Sequence, residues 1–300
     1  MIQNAGIVGL GALGILFGQK LTEALGKEQV YVFADKERID RYRKEGVYAN
    51  GRRCDFTYVE SKDAPAVDLL IYATKYYSLE EAVRNTAGAC GESTIVISLL
   101  NGVSSEVLIE KLLHPVHLLY CVAQGMDATR EGNQLRYSKA GSLAFGEKNN
   151  ERSESVLLLE ELLQRAGIAY EIPEDIIHKM WSKWMLNVGA NQTCAAYAAG
   201  YSGIQKGGAY RRALLTAMEE ARAVANAEGI ALTEEEQNEW IALIDTLLPD
   251  GEPSMRQDTK AGRKTEVDLF GKLVCELGKK HKIKTPQNER LCGILLQGGF

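Results

Sequence analysis

The run Gly9-Leu10-Gly11-Ala12-Leu13-Gly14 closes one short apolar stretch, AGIVG, and opens an amphipathic one. Each of the three glycines has its own use in such a loop. The first allows a tight turn, the second lets backbone approach a pyrophosphate, and the third lets a helix pack closely on a strand. A helix starting there turns its unpaired N–H groups toward phosphates. The glycine pattern alone also occurs in ordinary turns, but a strand before it and a helix after it make it a dinucleotide-binding signature. Asp35 ends the next apolar run, QVYVFAD, about 20 residues further on, where a carboxylate accepts hydrogen bonds from ribose hydroxyls. Lys36 and Arg38 follow at once and could reach a phosphate. Asp35 has a competing reading as the N-cap of the helix that begins at Lys36.

Residues 5 to about 150 alternate between such runs and helical spacing. AGIVG, QVYVFA, DLLIYAT and TIVISLL have strand length and almost no polar interior, the pattern of parallel strands covered on both faces. Helical segments over 14–25, 36–45, 78–87 and 104–112 complete a βαβα order, which predicts a doubly wound sheet. HLLYCVA, QLRYSKA and SLAFGE read as strands closing that sheet, partly antiparallel, followed by a helix over 151–166 and a last strand, IAYEI. Beyond Pro173 the texture changes to long helical segments over 175–197, 208–228, 233–248 and 266–281. The expected fold is therefore α/β: a Rossmann-type dinucleotide-binding domain over 1–172, then an all-helical domain over 173–300.

One helical segment carries an unusual stripe. In WSKWMLNVGANQTC, Lys183, Asn187 and Asn191 recur at every fourth position of an otherwise apolar helix. At about 100° per residue these three share one slightly twisted face. A solvated helix face is the ordinary reading of a lone lysine. Two amides among apolar neighbours point instead to a ligand, because unpaired buried amides are costly. An amine can protonate a developing alkoxide while amides orient the rest of a ketone substrate.

Composition narrows the partners. The 300 residues include 40 acidic and 35 basic side chains, a net charge of −5, which gives no support to nucleic-acid or anionic-membrane binding. No stretch approaches the roughly 20 apolar residues of a membrane span. The first positive charge, Lys20, follows the N-terminal apolar run, the reverse of a secretory signal. Six scattered cysteines without a CxxC pair fit reduced thiols. A cytoplasmic enzyme is expected. The HPVH segment holding His114 and His117 has a proline that disfavours paired metal ligation, so no metal is expected. Apolar helical surface in the second half leaves both a homodimer and a self-closed monomer open.

Several separated motifs together carry a resemblance: GLGALG, ATK at 73–75, LLNGV at 99–103, WSKWMLNVGANQT at 181–193, SMRQD at 254–258, GRKTEVDLFGK at 262–272 and the closing TPQNERL. In this order they resemble the ketopantoate reductase (2-dehydropantoate 2-reductase) family over nearly the whole chain. The resemblance implies hydride transfer from NADP(H) to 2-dehydropantoate, giving pantoate. It makes Lys183 the general acid and Glu266 the acid that binds the substrate hydroxyl and positions the lysine. Asn187 and Asn191 become substrate-orienting amides, and Ser254 a hydroxyl on the substrate carboxylate. Asn101 falls near nicotinamide and substrate, and Lys75 near the cofactor, with the Gly9–Gly14 loop, Asp35 and Lys36.

Read without the resemblance, Glu266 between basic neighbours is a surface ion pair at a helix start. Ser254 after Pro253 is likewise an N-cap, and Lys75 and Asn101 are loop residues. Three departures from the family pattern keep an alternative in view. Asp35 stands where a basic residue commonly meets the NADP 2′-phosphate. QTCAAYAAG replaces the usual sequence after the second amide and is expected to reshape the pocket wall, and Tyr137 stands where a histidine is common. The alternative is an NADH-dependent D-2-hydroxyacid dehydrogenase acting on another branched 2-keto acid. A non-catalytic dinucleotide sensor ranks lower, because the amine, amides and glutamate are all retained.

Overall fold

The computed structural model describes residues 1–298, and the chain divides into two compact units, the first ending at Ile177 and the second beginning at His178. The first unit opens with β1 (Ala5–Val8), α1 (Ala12–Leu25), β2 (Val30–Ala34) and α2 (Lys36–Glu45). Short strands β3 (Tyr48–Ala49) and β4 (Arg52–Arg53) precede β5 (Thr57–Glu60), β6 (Leu69–Tyr72), α3 (Leu79–Asn85), β7 (Ile95–Ser98) and α4 (Ser105–Leu113). The unit continues through β8 (His117–Met126), β9 (Thr129–Glu131), β10 (Gln134–Arg136), β11 (Ala140–Gly146), α5 (Glu154–Arg165) and β12 (Ala169–Glu171).

Eight strands form one sheet in the order β12-β11-β8-β7-β6-β1-β2-β5. The six from β5 to β8 are all parallel, and their order is that of a dinucleotide-binding sheet, reversing direction at β1 and β6. β11 then runs antiparallel to β8, with β12 parallel to β11. Side-chain alternation explains the uniformly apolar strands. Ile7, Val32, Leu69, Ile71 and Ile97 share a core with Ile15, Leu16 and Phe17 of α1. Their neighbours Val8, Phe33, Leu70, Tyr72 and Val96 pack on the other face with Leu79, Val83 and Ile109. Both faces are dry, so neither position of the two-residue period is polar.

Some expectations need correction. QLRYSKA does not close the main sheet. Its Gln134–Arg136 portion is β10, in a small second sheet of order β4-β3-β10-β9, and Tyr137 beside it exchanges backbone hydrogen bonds with the Asn50 side chain at 3.0 Å each way. Strand β5 adds to the expected set, because TYVE at a sheet edge is only half-buried along its whole length and lacks an apolar run.

The second unit is helical. It holds most of α6 (Ile176–Ala196), then α7 (Arg211–Ala227), α8 (Glu234–Thr246), α9 (Ser254–Lys260), α10 (Gly271–His281) and α11 (Pro286–Gln297). Its interior includes Trp184, Met185, Val188, Leu214, Met218, Val224, Phe270, Val274 and Leu291. The helix expected over 266–281 begins at Gly271, after a separate 3-10 turn at Val267–Leu269. A buried polar seam locks the helices together: Gln192 Nε2 donates to Asn288 Oδ1 at 3.0 Å, and Asn288 Nδ2 donates to Glu220 Oε2 at 2.8 Å.

Candidate active site

Because β1, β2, β6 and β7 are parallel and in register, the residues after their last positions emerge along one sheet edge. That edge carries the glycine loop, Asp35, the Ala73–Lys75 segment and the loop with Asn101. Ala73 N–H donates to Val8 C=O at 2.8 Å, and Leu99 N–H donates to Tyr72 C=O at 2.8 Å, extending the ladder to the loop bases.

The three glycines differ in what demands them. Gly9 has φ +98, and a Cβ there would lie 2.8 Å from the Ala73 carbonyl oxygen. A Cβ on Gly14 would lie 2.0 Å from the Gly9 carbonyl oxygen. Gly11 has φ −72, ordinary for any residue, and its Cβ would meet nothing closer than Ala73 O at 3.5 Å. The protein's own packing therefore explains the outer two and leaves space over the middle one. Gly11 is also the N-cap of α1, with no side-chain cap and no acidic residue in the first turn. Such an end suits an anion. Thr74 Oγ1, buried beside this loop, has no hydrogen-bond partner among the described residues. These features fit a dinucleotide pyrophosphate. Leu10 is in the core and Ala12 and Leu13 pack against it, so those three offer backbone, not side chains.

Asp35 is the N-cap of α2: its Oδ1 accepts from Arg38 N–H at 2.8 Å, while Oδ2 pairs with Arg38 Nε at 3.4 Å. Lys36 is exposed at the first helical position. Lys75 is half-buried just before the 3-10 turn Tyr76–Ser78, and Asn101 is half-buried in the loop reversed by Gly102 at φ +99.

In the second unit α6 presents its stripe as the spacing requires. Lys183 is half-buried, while Asn187 is 8% and Asn191 5% exposed. Asn191 Nδ2 makes long hydrogen bonds to Asn187 Oδ1 at 3.4 Å and to Ser254 Oγ at 3.5 Å. Asn187 Nδ2 is buried with no partner among the described residues. An orphan donor of this kind carries a desolvation cost of about 1–3 kcal/mol, which a ligand oxygen would remove. Ser254 is not an N-cap: Pro253 holds that position, and Ser254 is the first helical residue of α9. Its hydroxyl is thus available to Asn191.

Glu266 is 8% exposed, so the surface ion-pair reading does not describe it. The Trp184 indole N–H donates to Leu269 C=O at 2.8 Å, drawing the turn that follows Glu266 against the helix that carries Lys183. The neighbouring Thr265 is also buried, and its hydroxyl has no partner among the described residues. Neither Thr74 nor Thr265 stands out from the sequence, although each lies inside a quoted motif. A threonine hydroxyl next to a charged residue is the one local signal that marks them.

The segment after the second amide begins in the interior of the second unit. Gln192 and Cys194 are fully buried; Gln192 belongs to the polar seam, and the Cys194 thiol donates to Gly200 C=O at 3.6 Å. Among the described residues no group of three or more His, Cys, Asp or Glu could hold a metal ion. None of their helices is long and apolar enough to cross a membrane.

Known proteins match along the same two stretches. The sequence pattern described as "Ketopantoate reductase PanE/ApbA" covers residues 5–150, and that described as "Ketopantoate reductase PanE/ApbA C terminal" covers 175–298. The 2-dehydropantoate 2-reductase of Aquifex aeolicus is 24% identical over 296 residues, 96% of this chain and 94% of that one. Its counterpart from Pyrococcus horikoshii is 26% identical over 295 residues, 96% and 95% of the two chains. Among solved structures, a PanE/ApbA family ketopantoate reductase from Ralstonia eutropha has a TM-score of 0.87 at 22% identity, covering 98% of each chain. A D-mandelate dehydrogenase complexed with NADH has a TM-score of 0.88 at 24% identity, again covering 98% of each. With both sequence patterns matched in order along nearly its whole length, the chain belongs to the ketopantoate reductase family.

Proposed function

We propose that this chain reduces 2-dehydropantoate to pantoate at the expense of a nicotinamide dinucleotide, with residues 1–172 holding the dinucleotide and 173–300 supplying the groups that bind and protonate the keto acid. The observation that carries this reading is the α6 stripe: an amine and two buried amides on one helix, one amide donor without a partner among the described residues, with the Ser254 hydroxyl alongside.

The reduced nicotinamide supplies the hydride. Lys183 hydrogen-bonds the carbonyl oxygen and gives it a proton as negative charge develops there, a contribution of about 10²–10⁴-fold for a well-placed acid. Asn187 and Asn191 orient the substrate, Ser254 takes its carboxylate, and Glu266 takes the substrate hydroxyl and positions the lysine. On the cofactor side, the N–H groups around Gly11 receive the pyrophosphate, while Lys75 and Asn101 flank the nicotinamide end.

NADPH is the cofactor the family resemblance favours, with Lys36 and Arg38 as its 2′-phosphate contacts. A second reading, NADH with another branched 2-keto acid, has a specific observation behind it. The Asp35 carboxylate stands at the end of β2, where it would repel a 2′-phosphate, and the similar D-mandelate dehydrogenase was solved with NADH. For assembly we propose a homodimer, supported by the dimeric ketopantoate reductase of Staphylococcus aureus, which has a TM-score of 0.83 at 17% identity.

A two-by-two steady-state assay tests the proposal, with 2-dehydropantoate and a simpler branched 2-keto acid each offered with NADPH and NADH. We expect the highest kcat/KM for 2-dehydropantoate with NADPH, by at least about tenfold, equivalent to about 1.4 kcal/mol. A preference for the simpler acid with NADH would replace this reading with the second one.

A further inference from the structure

We infer that Ser98, Ser105 and Glu106 form a buried hydrogen-bonded chain that positions Asn101 for the reaction, an inference that rests on the assignment of Asn101 made above. The chain is directional. Leu100 N–H donates to Ser98 Oγ at 3.3 Å, Ser98 O–H donates to Ser105 Oγ at 2.9 Å, and Ser105 O–H donates to Glu106 Oε2 at 2.8 Å. It runs from the last residue of β7 to the first turn of α4 and so closes the base of the loop 99–104, in which Asn101 lies.

All three side chains are 0% exposed. Removing a carboxyl and two hydroxyls from water is expensive unless they are bonded, and nothing about starting a helix requires it. An N-cap is ordinarily supplied by one exposed polar side chain. Here Ser104 occupies the N-cap without a side-chain hydrogen bond, while the polar groups have been taken inward to the loop base. Leu99 N–H, bonded to Tyr72 C=O at 2.8 Å, anchors the same loop to β6. Together these bonds leave Asn101 and Gly102 at the tip of a short loop whose two ends are fixed to one another and to the sheet. Glu106 does not touch the reactants; it acts through Ser105, Ser98 and the backbone beside Asn101. What the chain needs from residue 106 is an acceptor for Ser105, not a charge.

The test is a double-mutant cycle in the full-length protein with 2-dehydropantoate and NADPH. Misplacing a reacting group by about 1 Å can cost on the order of a hundredfold. Ser98→Ala and Glu106→Ala should therefore lower kcat about ten- to a hundredfold with KM changed less than about threefold. Glu106→Gln, whose amide oxygen still accepts from Ser105, should return kcat to within about threefold of wild type. Combining Ser98→Ala with Asn101→Ala should cost no more than Asn101→Ala alone. Should Ser98→Ala fail to fold, Ser105→Ala breaks the same chain one link later.

Additive losses in the cycle, or a Glu106→Gln variant no better than Glu106→Ala, would overturn the inference. An Asn101→Ala variant with wild-type kcat would instead remove the assignment of Asn101 on which it rests. If the wild-type protein does not reduce 2-dehydropantoate, the proposed function falls, and the cycle is read from the fluorescence of bound NADPH. A change common to Asn101→Ala and Ser98→Ala, and no larger in the double variant, then upholds the chain, while separate additive changes reject it.

Discussion

Around Gly9–Gly14 the groups proposed to meet a ligand are backbone amides, whereas along α6 they are the side chains of Lys183, Asn187 and Asn191. The difference governs what each region tolerates. A backbone surface depends on atoms being absent: a Cβ on Gly14 meets a carbonyl oxygen at 2.0 Å, and one on Gly11 makes only an ordinary contact, with Ala73 O at 3.5 Å, while occupying the approach to the loop backbone. A side-chain surface depends on atoms being present, and the helix backbone beneath it does not require those particular residues. Errors in the first region are steric and damage the fold or exclude the ligand. Errors in the second are first of all chemical.

The sharpest way to break this contrast is Lys183→Ala. Turnover should fall about 10²–10⁴-fold while NADPH affinity, followed by nicotinamide fluorescence, stays within about threefold. A parallel collapse of affinity would mean that the lysine belongs to the cofactor surface.

The next effect concerns Glu106, a buried side chain in the backbone-built unit. Burial raises its carboxyl from 4.5 to about 7, and hydrogen bonds from Ser105 and from the backbone at Glu106 and Cys121 offset only part of that rise. Between those two pH values the folded chain holds a proton that the unfolded chain has released. Wild-type stability should therefore decline as pH rises from about 4.5 to about 7, with the full cost of about 3 kcal/mol present above that range. Glu106→Gln removes the titration. In urea unfolding it should gain up to about 3 kcal/mol over wild type at pH 8 and nothing below pH about 4. A constant difference across this range would show that the carboxyl keeps its ordinary affinity for protons.

The smallest effects separate the glycines. Gly14→Ala should lose about 1–3 kcal/mol of stability through overpacking against backbone. Gly11→Ala should stay within about 0.5 kcal/mol of wild type yet bind NADPH about tenfold more weakly, a loss of about 1.4 kcal/mol. Equal stability losses would mean that Gly11 serves the fold and not the ligand.

The same contrast explains which features are legible in the amino-acid sequence. The glycine loop and the strands around it announce themselves because local spacing determines them, and the α6 stripe does so because one helix carries all of it. Strand β5 is not legible, because an edge strand need not be apolar on both faces. Glu266 looks solvated among its basic neighbours, while the Trp184–Leu269 hydrogen bond, between residues far apart in sequence, helps hold its segment inward. Ser98 and Glu106 each resemble an ordinary residue of a strand or helix. Their connection exists because the parallel crossover returns α4 over the end of β7, a relation no local pattern records. The place of Gln192 in the polar seam is not legible, because its partner, Asn288, is nearly a hundred positions away.

Binding groups more often sit on loops, which soften before the rest of a protein does. The α6 stripe rides instead on a 21-residue helix whose other faces carry Trp184, Met185 and Val188 in the interior of the second unit. Its three polar side chains cannot lose their spacing while that helix persists, and the helix persists as long as the interior does. On warming, the proposed grip on the keto acid is therefore expected to end with the melting of the second unit and not before it.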